Sequence, residues 1–242
     1  ITRWKELGKI NGKEYIVKTI VTTETIKTIA ERNGVEMYDV YTGFKWIANV
    51  MRENEGKKNY IGGGEESYGF LCEDFVRDKD AVSACVILAE IAAWAKDQGL
   101  SLYQLLQKIY VEYGFSKEKG ISVVKKGKSG AEEIEAMMKK FRENPLTEIA
   151  GSKVTYFYDY STLKGKDYAE NETVTLDMPT TSNVLQYFTE DNTKVSIRPS
   201  GTEPKIKFYC EVHSKVKSID ELPEAEKAAE EKINQIKASL GI

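Results

Sequence analysis

Apolar and polar positions along this chain switch between a period of two and a period near 3.6, and each switch predicts an element. The β-branched run Tyr15-Ile16-Val17-Lys18-Thr19-Ile20-Val21 predicts a strand. A helix follows from Glu24 to about Asn33, with Gly34 as its stop. Val35 to Val40 predict a second short strand, and Thr42-Gly43-Phe44-Lys45 a turn into a helix running through about Glu53. Tyr60-Ile61 and Phe70-Leu71 flank a glycine-rich loop. The longest apolar helix is expected from Ala81 to Lys96, with Val82, Cys85, Val86, Ala89 and Ala93 at helical spacing. Another helix, Ser101 to Tyr113, ends at Gly114. Strands and helices alternating at these lengths predict a layered α/β domain.

Beyond Gly114 the texture changes. Ile121 to Val124 predict a strand, and Gly130 to Arg142 an amphipathic helix stopped before Pro145. Val154–Tyr160, Thr173–Leu176, Val195–Ile197 and Ile206–Val212 predict four more strands, and a charged helix from Glu221 to Leu240 closes the chain. Strands bracketed by helices predict an α+β domain. The boundary is placed between Phe115 and Lys119, giving domains 1–116 and 117–242, the first preceded by a short basic helical stretch at Thr2–Leu7. The Lys125-Lys126-Gly127-Lys128 cluster reads as a solvated turn.

Composition narrows the function classes. The chain has 242 residues, 30% of them charged, with a net charge of −3, so no basic face for nucleic acid is announced. No apolar run approaches the ~20 residues of a membrane helix. Three unpatterned cysteines, Cys72, Cys85 and Cys210, read as buried free thiols in a reducing cytoplasm. With one histidine, His213, and no Cys-x-x-Cys, a metal–thiolate site is not expected. The chain opens at Ile1 without a leader, which reads as a piece of a longer protein.

Three constellations carry candidate chemistry. In Arg198-Pro199-Ser200-Gly201-Thr202-Glu203-Pro204-Lys205, a guanidinium fork suits two phosphate oxygens. Ser200 and Thr202 add hydroxyls there, Gly201 lets backbone approach an anion, and the prolines stiffen both ends. The plainer alternative is a hairpin turn with an incidental arginine. In Gly62-Gly63-Gly64-Glu65-Glu66-Ser67-Tyr68-Gly69, glycines permit close approach while carboxylates and a hydroxyl accept bonds from a polyol; the alternative is a flexible polar hairpin. At Thr42-Gly43-Phe44-Lys45 a lysine at a strand-to-helix turn meets an anion, or Thr42 simply caps the helix. Asp78-Lys79-Asp80 reads as helix capping rather than a Mg²⁺ pair, with Arg77 and Lys79 available to a phosphate.

Taken together and in order, TGFKW (Thr42–Trp46), GGGEESYGF (Gly62–Phe70), VRDKDA (Val76–Ala81) and RPSGTEPKIKFY (Arg198–Tyr209) resemble the C-terminal half of an α-D-phosphohexomutase of the phosphoglucomutase/phosphomannomutase type. The resemblance spans essentially the whole chain. It implies the family's third domain, a mixed α/β layer, followed by its fourth, an α+β domain resembling the TATA-binding-protein fold. By match to the family's motifs, Thr42, Gly43, Glu65 and Ser67 hold the sugar. Lys79 lies near the reacting groups, and Arg198, Ser200, Gly201 and Thr202, with Lys205, bind the non-transferring phosphate.

The implied activity is transfer of a phosphoryl group between O1 and O6 of a hexose phosphate, through a phosphoserine and a bisphosphorylated sugar, glucose favoured. Mg²⁺ and glucose 1,6-bisphosphate are the full-length family's cofactors. This chain departs from the family's pattern in two places. Glu211-Val212-His213-Ser214 is not the family's nucleophile loop, and Asp78-Lys79-Asp80-Ala81 is not its metal loop. The fragment is therefore expected to recognise substrate, to hold no metal and to be inactive without the family's N-terminal domains. A non-catalytic sugar-phosphate-binding module, a structural protein, and mutases preferring mannose, glucosamine or pentose phosphates stand as alternatives.

Overall fold

The structure, a computed structural model, describes residues 1–125, 127–201 and 203–242. It divides into two compact units, Ile1–Gly114 and Phe115–Ile242.

In the first unit, α1 (Thr2–Glu6) precedes β1 (Glu14–Thr19), α2 (Thr25–Arg32), β2 (Glu36–Val40) and α3 (Phe44–Asn54). Then come β3 (Asn59–Gly64), β4 (Phe70–Cys72), α4 (Ala81–Asp97) and α5 (Leu102–Tyr113). The sheet order is β2-β1-β3-β4, with β1 parallel to both neighbours and β4 antiparallel to β3. Strand β1 is buried along its whole length, which accounts for the lack of apolar–polar alternation in Tyr15-Ile16-Val17. Its odd positions Tyr15 and Val17 join Phe44, Ile47, Met51 and Leu71 on the α3 face. Ile16 packs with Ala30, Val35 and Ile61 on the other face, where Trp4 of α1 also lies.

Two charged side chains of β1, Glu14 and Lys18, are buried inside this sheet. Lys18 is fully buried, and its Nζ lies 2.7 Å from Asp39 Oδ1 and 3.0 Å from Glu24 Oε1. Burial alone pushes its amine down, yet the two carboxylates outweigh that and hold it above the ordinary lysine value.

The second unit opens with β5 (Phe115–Val124) and α6 (Gly127–Glu143). Next come β6 (Glu148–Ile149), β7 (Ser152–Asp159), β8 (Lys164–Asp167), β9 (Glu172–Thr175), β10 (Leu185–Thr189), β11 (Lys194–Pro199) and β12 (Lys205–Ser214). A 3₁₀ turn at Ile219–Glu221 leads into α7 (Leu222–Leu240). The antiparallel sheet runs β5-β12-β11-β10-β7-β8-β9, with β6 paired to β7. Register pairs Ile197 with Phe208 and Val195 with Cys210, so these side chains share one face. Ile134, Met138 and Phe141 of α6 and Ile233 and Ile236 of α7 are buried, and the Phe141 ring stands 6.3 Å from that of Phe208.

Several sequence expectations are corrected. Strands β8 and β10 were not foreseen. Lys164-Gly165-Lys166-Asp167 has little β propensity, and in Leu185-Gln186-Tyr187-Phe188-Thr189 the alternation begun by Leu185, Gln186 and Tyr187 is broken at Phe188. Gln186 is nonetheless buried, bonded to Tyr160 Oη at 2.6 Å and to Ser196 Oγ at 2.7 Å. The basic cluster is not simply a turn: α6 begins at Gly127, and Lys125 Nζ lies 2.9 Å from Glu133 Oε2. Lys126 lies outside the described residues. Of the three free thiols only Cys210 is buried; Cys72 is half-buried and Cys85 is exposed, because the α4 stripe that carries it faces outward.

Candidate functional site

The first unit gathers its candidate residues at the ends of its strands. The parallel pairs β1–β2 and β1–β3 carry the turn at Thr42-Gly43 and the loop after β3 to the same edge of the sheet, the position where open α/β sheets bind ligands. Gly43 donates its backbone N–H to Glu65 Oε1 at 2.6 Å, joining loops 22 residues apart. Gly43 sits at φ +116°, which favours glycine, and it precedes α3 as the N-cap. Thr42 is therefore not the cap, and no side chain caps this helix.

The loop is tied at several points. Glu65 N–H donates to Gly69 O at 2.7 Å. A Cβ on Gly69 would lie 2.8 Å from Glu65 Oε2, so the absent side chain makes room for that carboxylate. Thr19 Oγ1 donates to Glu66 Oε2 at 3.2 Å, and Ser67 Oγ to Glu66 Oε1 at 3.4 Å. The glycines before Glu65 answer to packing as well as to any ligand: a Cβ on Gly63 would stand 2.4 Å from Val17 O, and one on Gly64 2.7 Å from Gly69 O. The loop is thus held rather than a free polar hairpin.

Lys79 approaches the same turn. Its Nζ lies 6.0 Å from the centroid of the Phe44 ring and 3.1 Å from Asp78 Oδ1. The bond from Lys79 holds the Asp78 carboxyl below its ordinary value. Asp80 accepts from Ser83 N at 2.7 Å and so caps α4. With one aspartate paired to a lysine and the other capping a helix, this segment does not fit a Mg²⁺ ligand set. Among the described residues no three His, Cys, Asp or Glu side chains come together as a metal site. Arg77 turns to Glu55, at 3.3 Å, and Lys45 lies over the Trp46 ring at 5.0 Å.

In the second unit the candidate loop is the β11–β12 connection. Arg198 pairs with Lys207 across the two strands and is half-buried, so its guanidinium is not sealed in the core. Ser200 N–H donates to Lys205 O at 2.7 Å, and Lys205 N–H donates to Glu203 O at 2.7 Å. Glu203 N–H donates to Ser200 Oγ at 3.3 Å. Lys205 Nζ pairs with Glu203 at 2.6 Å and holds that carboxyl below its ordinary value. A Cβ on Gly201 would touch nothing within 4 Å, and its backbone is outside the left-handed region. The fold does not demand a glycine there. Thr202 lies outside the described residues. Behind the loop, Pro199, Ser200 and Pro204 border a cleft of about 560 Å³ against Ile134 and Met138. Its rim holds Arg142, fixed by Asp159 at 2.9 Å and Asn183 at 2.8 Å.

Two family models divide the chain between them. "Phosphoglucomutase/phosphomannomutase, alpha/beta/alpha domain III" matches residues 1–113, and the same family's "C-terminal domain" matches residues 122–229. The chain belongs to the phosphoglucomutase/phosphomannomutase family. A phosphoglucomutase of Staphylococcus haemolyticus is 35% identical over 208 residues, 86% of this chain and 38% of that protein. One from Staphylococcus aureus strain COL is 40% identical over 194 residues, 80% of this chain and 35% of that protein. The chain thus spans little more than a third of the length of these relatives.

Solved structures share the fold. The Paramecium phosphoprotein parafusin superposes with a TM-score of 0.56 at 19% identity, over 84% of this chain and 33% of its own. A phosphoglucomutase/phosphomannomutase family protein from Burkholderia thailandensis gives 0.55 at 16%, over 98% and 40%.

Sequence reasoning overlooked two features at this edge of the sheet. Lys18 with Asp39 and Glu24, and the Thr19–Glu66 tether, both lie where β1 ends. A lysine inside a β-branched run was the legible signal for the first, because a central strand tolerates a charge only with partners. The second joins residues 47 apart and left no local trace.

Proposed function

We propose that this chain supplies the sugar-recognition and phosphate-binding parts of a phosphohexomutase. The reaction interconverts hexose 1-phosphate and hexose 6-phosphate, glucose favoured, through a phosphoserine and a bisphosphorylated sugar. In this reading residues 1–116 recognise the sugar and 117–242 the phosphate. Thr42, Gly43, Glu65 and Ser67 hold ring hydroxyls, and Lys79 neutralises charge near the reacting groups. Arg198, Ser200, Gly201, Thr202 and Lys205 grip the phosphate that is not being transferred. Positioning and charge compensation dominate phosphoryl transfer, so one rigid anion cradle serves both half-reactions. The observation that carries the reading is the Gly43–Glu65 bond, which locks two separate family motifs into one rim.

The phosphoserine, Mg²⁺ and the family's first two domains belong to the remainder of such an enzyme, which works in the cytoplasm on soluble sugar phosphates. Calorimetric titration of the chain with glucose 6-phosphate tests the reading. Binding that Arg198→Ala and Glu65→Gln each weaken at least tenfold supports it; no heat, or heat unchanged in both variants, defeats it. A mutase assay with glucose 1-phosphate, Mg²⁺ and the bisphosphate is expected to show no turnover by the chain alone.

A further inference from the structure

The turn after β1 carries a run of side-chain hydrogen bonds that ends in the glycine-rich loop. Thr19 is fully buried and Thr22 is buried beside it. Thr22 N–H donates to Thr19 O at 2.9 Å, and Thr22 O accepts from the buried Lys18 Nζ at 3.4 Å, so the turn is pinned from both sides. The two threonine hydroxyls lie 2.8 Å apart. Thr19 Oγ1 donates outward to Glu66 Oε2 at 3.2 Å, and Ser67 Oγ donates to Glu66 Oε1 at 3.4 Å. A hydroxyl has one hydrogen to give, and a carboxylate has only lone pairs. The direction of each bond is therefore fixed: Thr22 donates to Thr19, Thr19 to Glu66, and Ser67 to Glu66.

We propose that Glu66, anchored to the end of β1 through Thr19, is a positioning residue that takes the Ser67 hydrogen. The exposed Ser67 oxygen is thereby left as an acceptor only, and it selects for a hydrogen-bond donor on the sugar ring. This rests on the reading of the loop as a sugar site. Glu65 beside it offers the same polarity: its Oε1 is taken by the Gly43 N–H, and its Oε2, packed against Gly69, has lone pairs alone to present. A ring hydroxyl can donate to both groups. A carbonyl, an ether oxygen or a fluorine in its place sets acceptor against acceptor, and a site of fixed polarity rejects such a ligand. Without Glu66, the Ser67 hydroxyl would turn to donate or accept as the ligand required. The far end of the network supplies rigidity, because Lys18 is itself clamped by Asp39 and Glu24.

Calorimetry with glucose 6-phosphate, and with its analogues carrying fluorine in place of the hydroxyl at C2, C3 or C4, tests this. Fluorine fits where a hydroxyl fits but cannot donate. The analogue whose penalty Ser67→Ala removes identifies the hydroxyl that meets Ser67. In wild type that penalty is expected to be about tenfold or more, and in Glu66→Ala, where the Ser67 hydrogen is released, to fall below about threefold. Glu66 is exposed, so the fold tolerates its truncation. Thr19→Ser keeps the hydroxyl and should retain the penalty, whereas Thr19→Val lacks it and should lose at least half; urea midpoints confirm that both variants are folded. The proposal is overturned if no analogue shows a penalty, if Glu66→Ala leaves it intact, or if Thr19→Val matches wild type. Absence of heat from wild type with glucose 6-phosphate itself is a different result, which defeats the sugar-phosphate reading and the proposal with it.

Discussion

At the scale of single residues, Gly201 and Glu14 separate function from folding. A Cβ on Gly201 meets open space, so Gly201→Ala is expected to change stability by no more than about 0.5 kcal/mol. If the glycine exists to let an anion approach, the same change should weaken glucose 6-phosphate binding; chemical denaturation and calorimetry on one preparation check both halves. Glu14 is the opposite case, a buried carboxylate with a structural task. Burial pushes its carboxyl up, but the N–H groups of Asn11, Gly12 and Lys13 and the Asn59 side chain outweigh that and hold it below the ordinary value. A lowered carboxyl contributes stability above its unfolded-state value and loses it as the pH falls through the native one. Glu14→Gln should therefore flatten the acid limb of the stability–pH curve, read from urea midpoints between pH 3 and 7.

Among the elements, the β1–β3 pairing sets how the glycine-rich loop leaves the sheet. Gly63 lies where any side chain would strike the Val17 carbonyl and the Tyr60 hydroxyl. Gly63→Ala is expected to cost about 2 kcal/mol through overpacking, seen as a lower urea midpoint with an unchanged slope. The glycine-rich loop therefore follows two rules at once, close packing at Gly63 and Gly64 and room for the Glu65 carboxylate at Gly69. Reading from sequence assigned all three glycines before Glu65 to ligand approach, because composition carries no record of which backbone passes nearby.

For the whole molecule, ligand binding and stability are linked. A hexose phosphate that binds only the folded chain at a hundred times its Kd stabilises it by about 2.7 kcal/mol. Thermal unfolding with glucose 6-phosphate should shift upward by several degrees, and Arg198→Ala should cut the shift to about half or less. Helix ends were legible, from α2 stopping before Gly34 to α7 capped by Gly241, because glycine and proline punctuate the period, whereas β5 starts at Phe115, well before the expected Ile121. The family was legible as well, since four motifs in fixed order are specific where each alone is ordinary. Strand β10 was not: Phe188 interrupts its alternation, and Gln186 is buried because Tyr160 and Ser196, distant or separate in sequence, satisfy its amide.

The sequence by itself determined the helices and most of the strands, the order of the motifs and so the family, because local periodicity and turn chemistry act over a few residues. Tertiary structure alone decided that Gly43 meets Glu65 and that Lys18 finds Asp39, since those pairings are made by strands brought together from distant stretches. It also reversed one inference. The apolar stripe of α4 reads as core, and only the packing of α4 onto its own unit through the opposite side leaves that stripe facing water.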